Sequence, residues 1–190
     1  MLGRHLWALG SGFYNPDEVA RVIRSHFPEL SLRSANSAAW RRGFEQLQRA
    51  IDERKNFAFE TTLSSSQITG QLIRAAETGS RLSILYVGLQ TLDLHAQRVD
   101  QRRQSGGHHI PLEDITRRFE QSPKNLATLV PYVTDLVVFD NSEAASGDQL
   151  PSPAELLRIA DDELVFAVSD DVLPGWALQV SEAVQRRFAD

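Results

Sequence analysis

Two short apolar runs, Phe57-Ala58-Phe59 and Leu82-Ser83-Ile84-Leu85-Tyr86-Val87, flank a helix-length stretch, 67–78, that Gly79 stops. A short apolar run ending in polar side chains reads as a buried strand, here 56–60 and 81–87. Strands joined through a helical crossover lie parallel, because an antiparallel pair needs only a tight turn. The same order returns downstream. A charged helix over 92–104 ends at Gly106-Gly107, another starts at Pro111 and runs to about Gln121, and Leu136-Val137-Val138-Phe139 is a further buried strand. The expected architecture is α/β, an open, mostly parallel sheet with helices on both faces.

Elsewhere the signals are local. Asn15 stands before Pro16-Asp17-Glu18, a cap, a proline and two acids that open a helix running to about His26. Over 38–55, Trp40, Phe44, Leu47 and Ile51 recur at helical spacing and predict the buried face of a long helix. Residues 142–153 read as a loop, 154–159 as a short helix, 163–168 as a strand and 176–188 as a closing helix. With 190 residues, 42% of them hydrophobic and 24% charged, the chain is expected to form a single domain over 1–190.

Charge and composition narrow the function. A net charge of −5 gives no drive toward nucleic acid, and the arginines between Arg98 and Lys124 are interrupted by Asp100, Glu113, Asp114 and Glu120. No nucleic-acid partner is expected. The absence of cysteine rules out disulfides, thiolate zinc and cysteine nucleophiles, and suits a reducing cytoplasm. No stretch approaches the ~20 apolar residues of a spanning helix, so a soluble, cytoplasmic protein without a membrane partner is expected. His108 and His109 are adjacent without a third ligand nearby, so no metal site is assigned to protein ligands.

Six motifs follow one another in a recognisable order: Asn15-Pro16-Asp17-Glu18, Phe59-Glu60-Thr61-Thr62-Leu63, Arg98-Val99, Gly106-Gly107-His108 with Ile110-Pro111, Arg117-Arg118-Phe119, and Asp140-Asn141-Ser142. Together they resemble the zeta-toxin family across residues 13–142. The resemblance implies a three-layer P-loop-kinase-like fold, ATP and Mg as donor, and a UDP-N-acetyl sugar, UDP-N-acetylglucosamine above all, as acceptor. By position Asp17 matches the catalytic base; read without the family, it is a helix-capping carboxylate. Glu60, Thr61 and Thr62, with Asn15, match residues that hold the sugar nucleotide, or else form a strand-end hydrogen-bond network. Arg98 and Arg117 match catalytic arginines that neutralise charge on the transferred phosphoryl, with Arg102 and Arg118 beside them as nucleotide-binding candidates. His108, in a glycine turn, is a substrate-binding candidate, and Asn141 either contacts the nucleotide or ends its strand.

One part of that pattern is absent. A family member would begin with a strand, a Gly-x-x-x-x-Gly-Lys-[Ser/Thr] loop and a helix, whereas Gly10-Ser11-Gly12 carries no lysine and runs straight into Phe13. Leu6-Trp7-Ala8-Leu9 is too close to Tyr14 for a parallel crossover. The chain is therefore expected to miss the usual first strand, P-loop and first helix, and to be an inactive or severely impaired phosphotransferase. The alternatives are a non-catalytic sugar-nucleotide or partner-binding module and an N-terminally truncated fragment of an active kinase. An incomplete sheet invites a homo-oligomer, and the family implies an antitoxin protein as a further partner.

Overall fold

Asn15 opens the first helix as its sequence predicts. In the computed structural model, which describes residues 13–104, 110–143 and 152–189, its side-chain Oδ1 accepts from the backbone N–H of Asp17 at 2.9 Å and of Glu18 at 3.1 Å. Helix α1 spans Pro16–His26, with the two acids against its positive end. The chain divides into two compact units, Met1–Thr62 and Leu63–Asp190. The segments Leu6–Leu9, Gly10–Gly12 and Gly106–His109 lie outside the described residues.

In the first unit, β1 (Phe13–Tyr14) pairs in parallel with β2 (Ala58–Phe59), and α1 and α2 (Leu32–Asp52) form the crossover between them. Helix α2 starts at Leu32 rather than near Ala38, because the Ser31 hydroxyl accepts from the Ser34 N–H and caps it. Its buried face also differs from the predicted one. Leu47 and Ile51 are buried, but Trp40 is 41% exposed and stacks on Phe44 with ring centroids 5.2 Å apart. The place against α1 is taken by Ala35 and Ala39, which meet Ala20 with Val19 and Ile23 around them. Alanines let two helices approach closely, and a hydrophobicity pattern weighted toward large side chains overlooks them. Gly43 serves another close approach: a Cβ there would lie 2.5 Å from Tyr14 Cε1. The Tyr14 hydroxyl donates to the Ala39 carbonyl, fastening β1 to α2.

The second unit contains α3 (Ser66–Glu77), β3 (Ser83–Gly88), α4 (Leu92–Gln104), α5 (Leu112–Leu129), β4 (Asp135–Asp140), β5 (Ala154–Ala160), β6 (Glu163–Ala167) and α6 (Leu178–Phe188). Gly79, at φ +90, ends α3 in the left-handed region that glycine adopts without strain. The sheet order is β3-β4-β5-β6, parallel between β3 and β4 and antiparallel thereafter. Leu136 and Val138 of β4 and Ile159 of β5 are buried with Leu126 of α5 and Val184 of α6. Trp176, in a 3-10 turn before α6, packs on Tyr86 at 5.5 Å.

Two expectations are corrected here. Residues 154–159, expected as a short helix, belong to strand β5, since Leu157 and Ile159 register against Val138 and Leu136 of β4. Asp161 and Asp162 both have positive φ, at 49° and 67°, which is the turn that closes a two-residue hairpin into β6. The second correction concerns α5, which does not stop near Gln121 but runs through Pro123 to Leu129. Proline removes one helical hydrogen bond. Burial of Ile115, Leu126 and Leu129 on this helix offsets that loss.

Candidate functional site

At the C-terminal ends of β1 and β2 the chain builds a polar rim. Strand pairing carries on one step past the ladder, with the Glu60 N–H donating to the Tyr14 carbonyl at 3.0 Å. That register sets Glu60 beside Asn15, and Asn15 Nδ2 donates to Glu60 Oε2 at 2.8 Å. One amide therefore works in two directions: its oxygen caps α1 and its nitrogen holds a carboxylate. Asp17, in the first turn of α1, and Glu60 are both exposed. The Asp17 carboxylate has no hydrogen-bond partner among the described residues. Thr61 and Thr62 continue the rim from Glu60, are exposed, and each already has an interaction partner. Of the residues singled out by sequence, Asn15, Asp17 and Glu60 are thus joined by one hydrogen-bond system.

The arginine candidates lie in the other unit. Arg98 on α4 donates to the Glu143 carbonyl at 3.2 Å, just past the Asp140-Asn141-Ser142 turn. Arg117 on α5 pairs with Asp114 one turn earlier, at 2.6 Å. Arg118 is half-buried on the same helix, and Arg102 is exposed near the end of α4. Exposed pairs of this kind contribute at most about 1 kcal/mol, so Arg117 is easily released to another anion. Asn141 donates its backbone N–H to the Gly88 carbonyl at 2.9 Å. Ser142 Oγ accepts from the Gln90 N–H and donates to Asp140 Oδ1, both at 2.7 Å, so this turn ties the ends of β3 and β4 together. His108 lies outside the described residues.

Other residues around these segments carry no sequence signal that marks them. Leu63 follows Thr62 with φ +53 while 95% of its surface is buried, a strained conformation for a branched side chain. Asn125, buried in α5, donates to the Leu63 carbonyl at 2.7 Å and accepts from Gln121 at 2.9 Å. The partner of Asn125 is 62 residues away, beyond the reach of any local sequence pattern. His95 of α4 meets Phe119 of α5 edge-on at 5.3 Å, and burial lowers its pKa.

The site can also be tested against ATP and Mg. The chain has two lysines, Lys55 just after α2 and Lys124 inside α5, and neither follows a glycine-rich loop. Lys55 pairs with Glu53 at 2.6 Å. Among the described residues no group of three His, Asp or Glu side chains is arranged to hold a metal ion. Among the described residues neither a lysine nor a carboxylate cluster is thus placed to hold a magnesium-bound triphosphate. No helix among them is long and apolar enough to cross a membrane.

A mixed α/β chain with parallel strand pairs and helices between them is compatible with a kinase-like P-loop fold. The family model for zeta toxin matches residues 21–146, and the chain belongs to this family. The match includes Glu60, the four arginines and Asn141, and begins after Asn15 and Asp17. An uncharacterized protein of Haemophilus influenzae is 30% identical over 109 residues, which is 55% of this chain and 77% of that protein. No solved structure matches the chain.

Proposed function

We propose that this zeta-toxin-family chain binds the acceptor of a phosphoryl transfer, a UDP-N-acetyl sugar, through the rim formed by Asn15, Asp17, Glu60, Thr61 and Thr62. What supports this reading most directly is the 2.8 Å hydrogen bond from Asn15 to Glu60, which orients one carboxylate oxygen and leaves the other for a sugar hydroxyl or amide. Asp17 is the group to accept the proton of the attacking hydroxyl, given a carboxylate in the first helical turn that has no hydrogen-bond partner among the described residues. Arg98 and Arg117, and with them Arg102, Arg118, His108 and Asn141, are assigned to the phosphates by the family pattern. ATP and Mg are the donor pair of the family. Neither Lys55 nor Lys124 follows a glycine-rich loop, and one electrostatic element of that kind is worth roughly 10²–10³ in rate, so the donor side of this reading stands on the family pattern alone.

A second reading keeps the same rim and drops the chemistry: a binding module for a sugar nucleotide or for a protein partner of the antitoxin kind. The lysine positions favour it. Calorimetry separates the readings. UDP-N-acetylglucosamine is expected to bind while Mg·ATP gives no heat. Asn15→Asp, which still caps the helix but sets a second carboxylate against Glu60, should weaken sugar-nucleotide binding about tenfold or more with little change in stability. Binding of Mg·ATP would overturn the donor part of the proposal, and silence with the sugar nucleotide would overturn the acceptor part.

A further inference from the structure

The outward face of α2 carries hydrogen-bond donors in a row. Arg33, Ser37 and Arg41 recur at four-residue spacing, which sets them within about 80° of one another around the helix, in a line along its axis. With Ser34 and Ala38 beside them they line an open cleft of about 370 Å³, made of three small side chains and two arginines. All five residues are exposed and belong to one helix of the first unit.

The charge in this row is uncompensated. On α4, α5 and α6 an acid three or four residues earlier holds a helical arginine: Asp100 with Arg103 at 2.8 Å, Asp114 with Arg117 at 2.6 Å and Glu182 with Arg186 at 3.9 Å. From Leu32 to Phe44, α2 has Arg33, Arg41 and Arg42 and no acid. Glu45 stands four residues after Arg41, which is the less favourable order for such a pair, and forms no ion pair with it. Among the described residues Arg33, Ser37 and Arg41 have no hydrogen-bond or ion-pair partner. The Ser34 hydroxyl is taken up by Ser31 at 2.8 Å.

What the row can hold follows from its donors. Two guanidinium forks and a free hydroxyl converge here, with no carboxylate among the lining residues. A carboxylate has two oxygens and is satisfied by one fork, which leaves the second arginine idle. A phosphomonoester has three terminal oxygens and a charge of about −2 at neutral pH, which matches two forks and a hydroxyl. The arginines are separated by about 12 Å along the helix axis, so their extended side chains can close on one tetrahedral group above Ser37.

We propose that the cleft on α2 binds a small phosphomonoester, a sugar phosphate in size, through Arg33, Ser37 and Arg41. Its residues are not those of the Asn15, Asp17 and Glu60 rim, and its ligand differs. The phosphates of a UDP-sugar are esterified on both sides and carry one charge each, and the terminal phosphate of Mg·ATP is taken up by its metal.

Calorimetry of the full chain at about 20 mM salt, where screening sets in only beyond roughly 20 Å, tests this with a hexose 6-phosphate, the free hexose and inorganic phosphate. The ester is expected to bind with a Kd of about 0.1–1 mM and the free hexose to give no heat. Arg33→Gln and Arg41→Gln should each weaken binding about tenfold or more, whereas Asn15→Asp should leave it unchanged, so loss of the cleft and loss of the rim read out on different variants. No heat from the ester up to about 10 mM overturns the proposal. So does binding that both arginine variants retain, which places the ester elsewhere, or binding of inorganic phosphate without the ester, which marks an ion site only. Should either arginine variant fail to fold by circular dichroism, Ser37→Asp, which sets a carboxylate between the two forks, is expected to give the same loss, and full binding by that variant overturns the proposal.

Discussion

Gly88 shows how much a single missing Cβ can matter. It ends β3, its carbonyl accepts from Asn141, and a Cβ at this position would lie 2.3 Å from Cζ2 of the buried Trp176. The indole is a rigid plate packed on Tyr86, so it cannot yield as a flexible side chain would. Gly88→Ala should destabilise the protein by about 1–3 kcal/mol, read as a lower urea midpoint at unchanged slope. The sequence offers Gly88 only as a small residue after an apolar strand. Its reason lies 88 positions along the chain, at Trp176, where no local pattern points. The Asn15 cap, in contrast, was legible because a cap, a proline and two acids act within one helical turn. Its second bond, to Glu60 across 45 residues, was not.

Whole elements follow the same division between local and distant causes. Helix α1 begins where its Asn15 cap predicts, because this signal acts through backbone groups next door. Strand β5 departs from the expected helix because Leu156, Leu157 and Ile159 fit a helical face as well as an extended run, and only pairing with β4 decides between them. The Asp161-Asp162 pair, which can adopt positive φ, was the available clue to the hairpin. For α2 the true face is made of alanines, and for α5 tertiary burial overrides Pro123. The α4–α5 pair also carries a pH dependence. Burial holds the His95 pKa below its ordinary value near 6.5, so the unfolded chain binds this proton more readily than the folded one. The stabilisation from neutral His95 is present above about pH 6.5 and is lost as pH falls toward the depressed folded value. Thermal melts of His95→Phe, which keeps a ring against Phe119, should lack this component between about pH 7 and 5.

At the scale of the molecule, the acidic balance sets behaviour in solution. With a net charge of −5 and an isoelectric point near 5.5, mutual repulsion between copies vanishes as pH approaches that value. Light scattering at fixed concentration should therefore peak near pH 5.5 and fall on either side. Histidine protonation on the way down lowers the stability of the α4–α5 pair over the same interval, so loss of solubility and loss of structure will overlap. Far-UV circular dichroism recorded alongside distinguishes them, since association at the isoelectric point leaves the helical signal intact.

The double duty of Asn15 bears on how such a chain changes over time. A side chain that only served catalysis would be free to drift once the reaction was lost. Here the amide that steadies Glu60 also closes the first helix, so replacing it by alanine would cost about 1 kcal/mol of folding free energy whether or not any substrate is ever bound. Selection for a folded protein is enough to retain it. The endurance of this asparagine in a lineage would record the needs of the scaffold first, ahead of anything the neighbouring carboxylate binds.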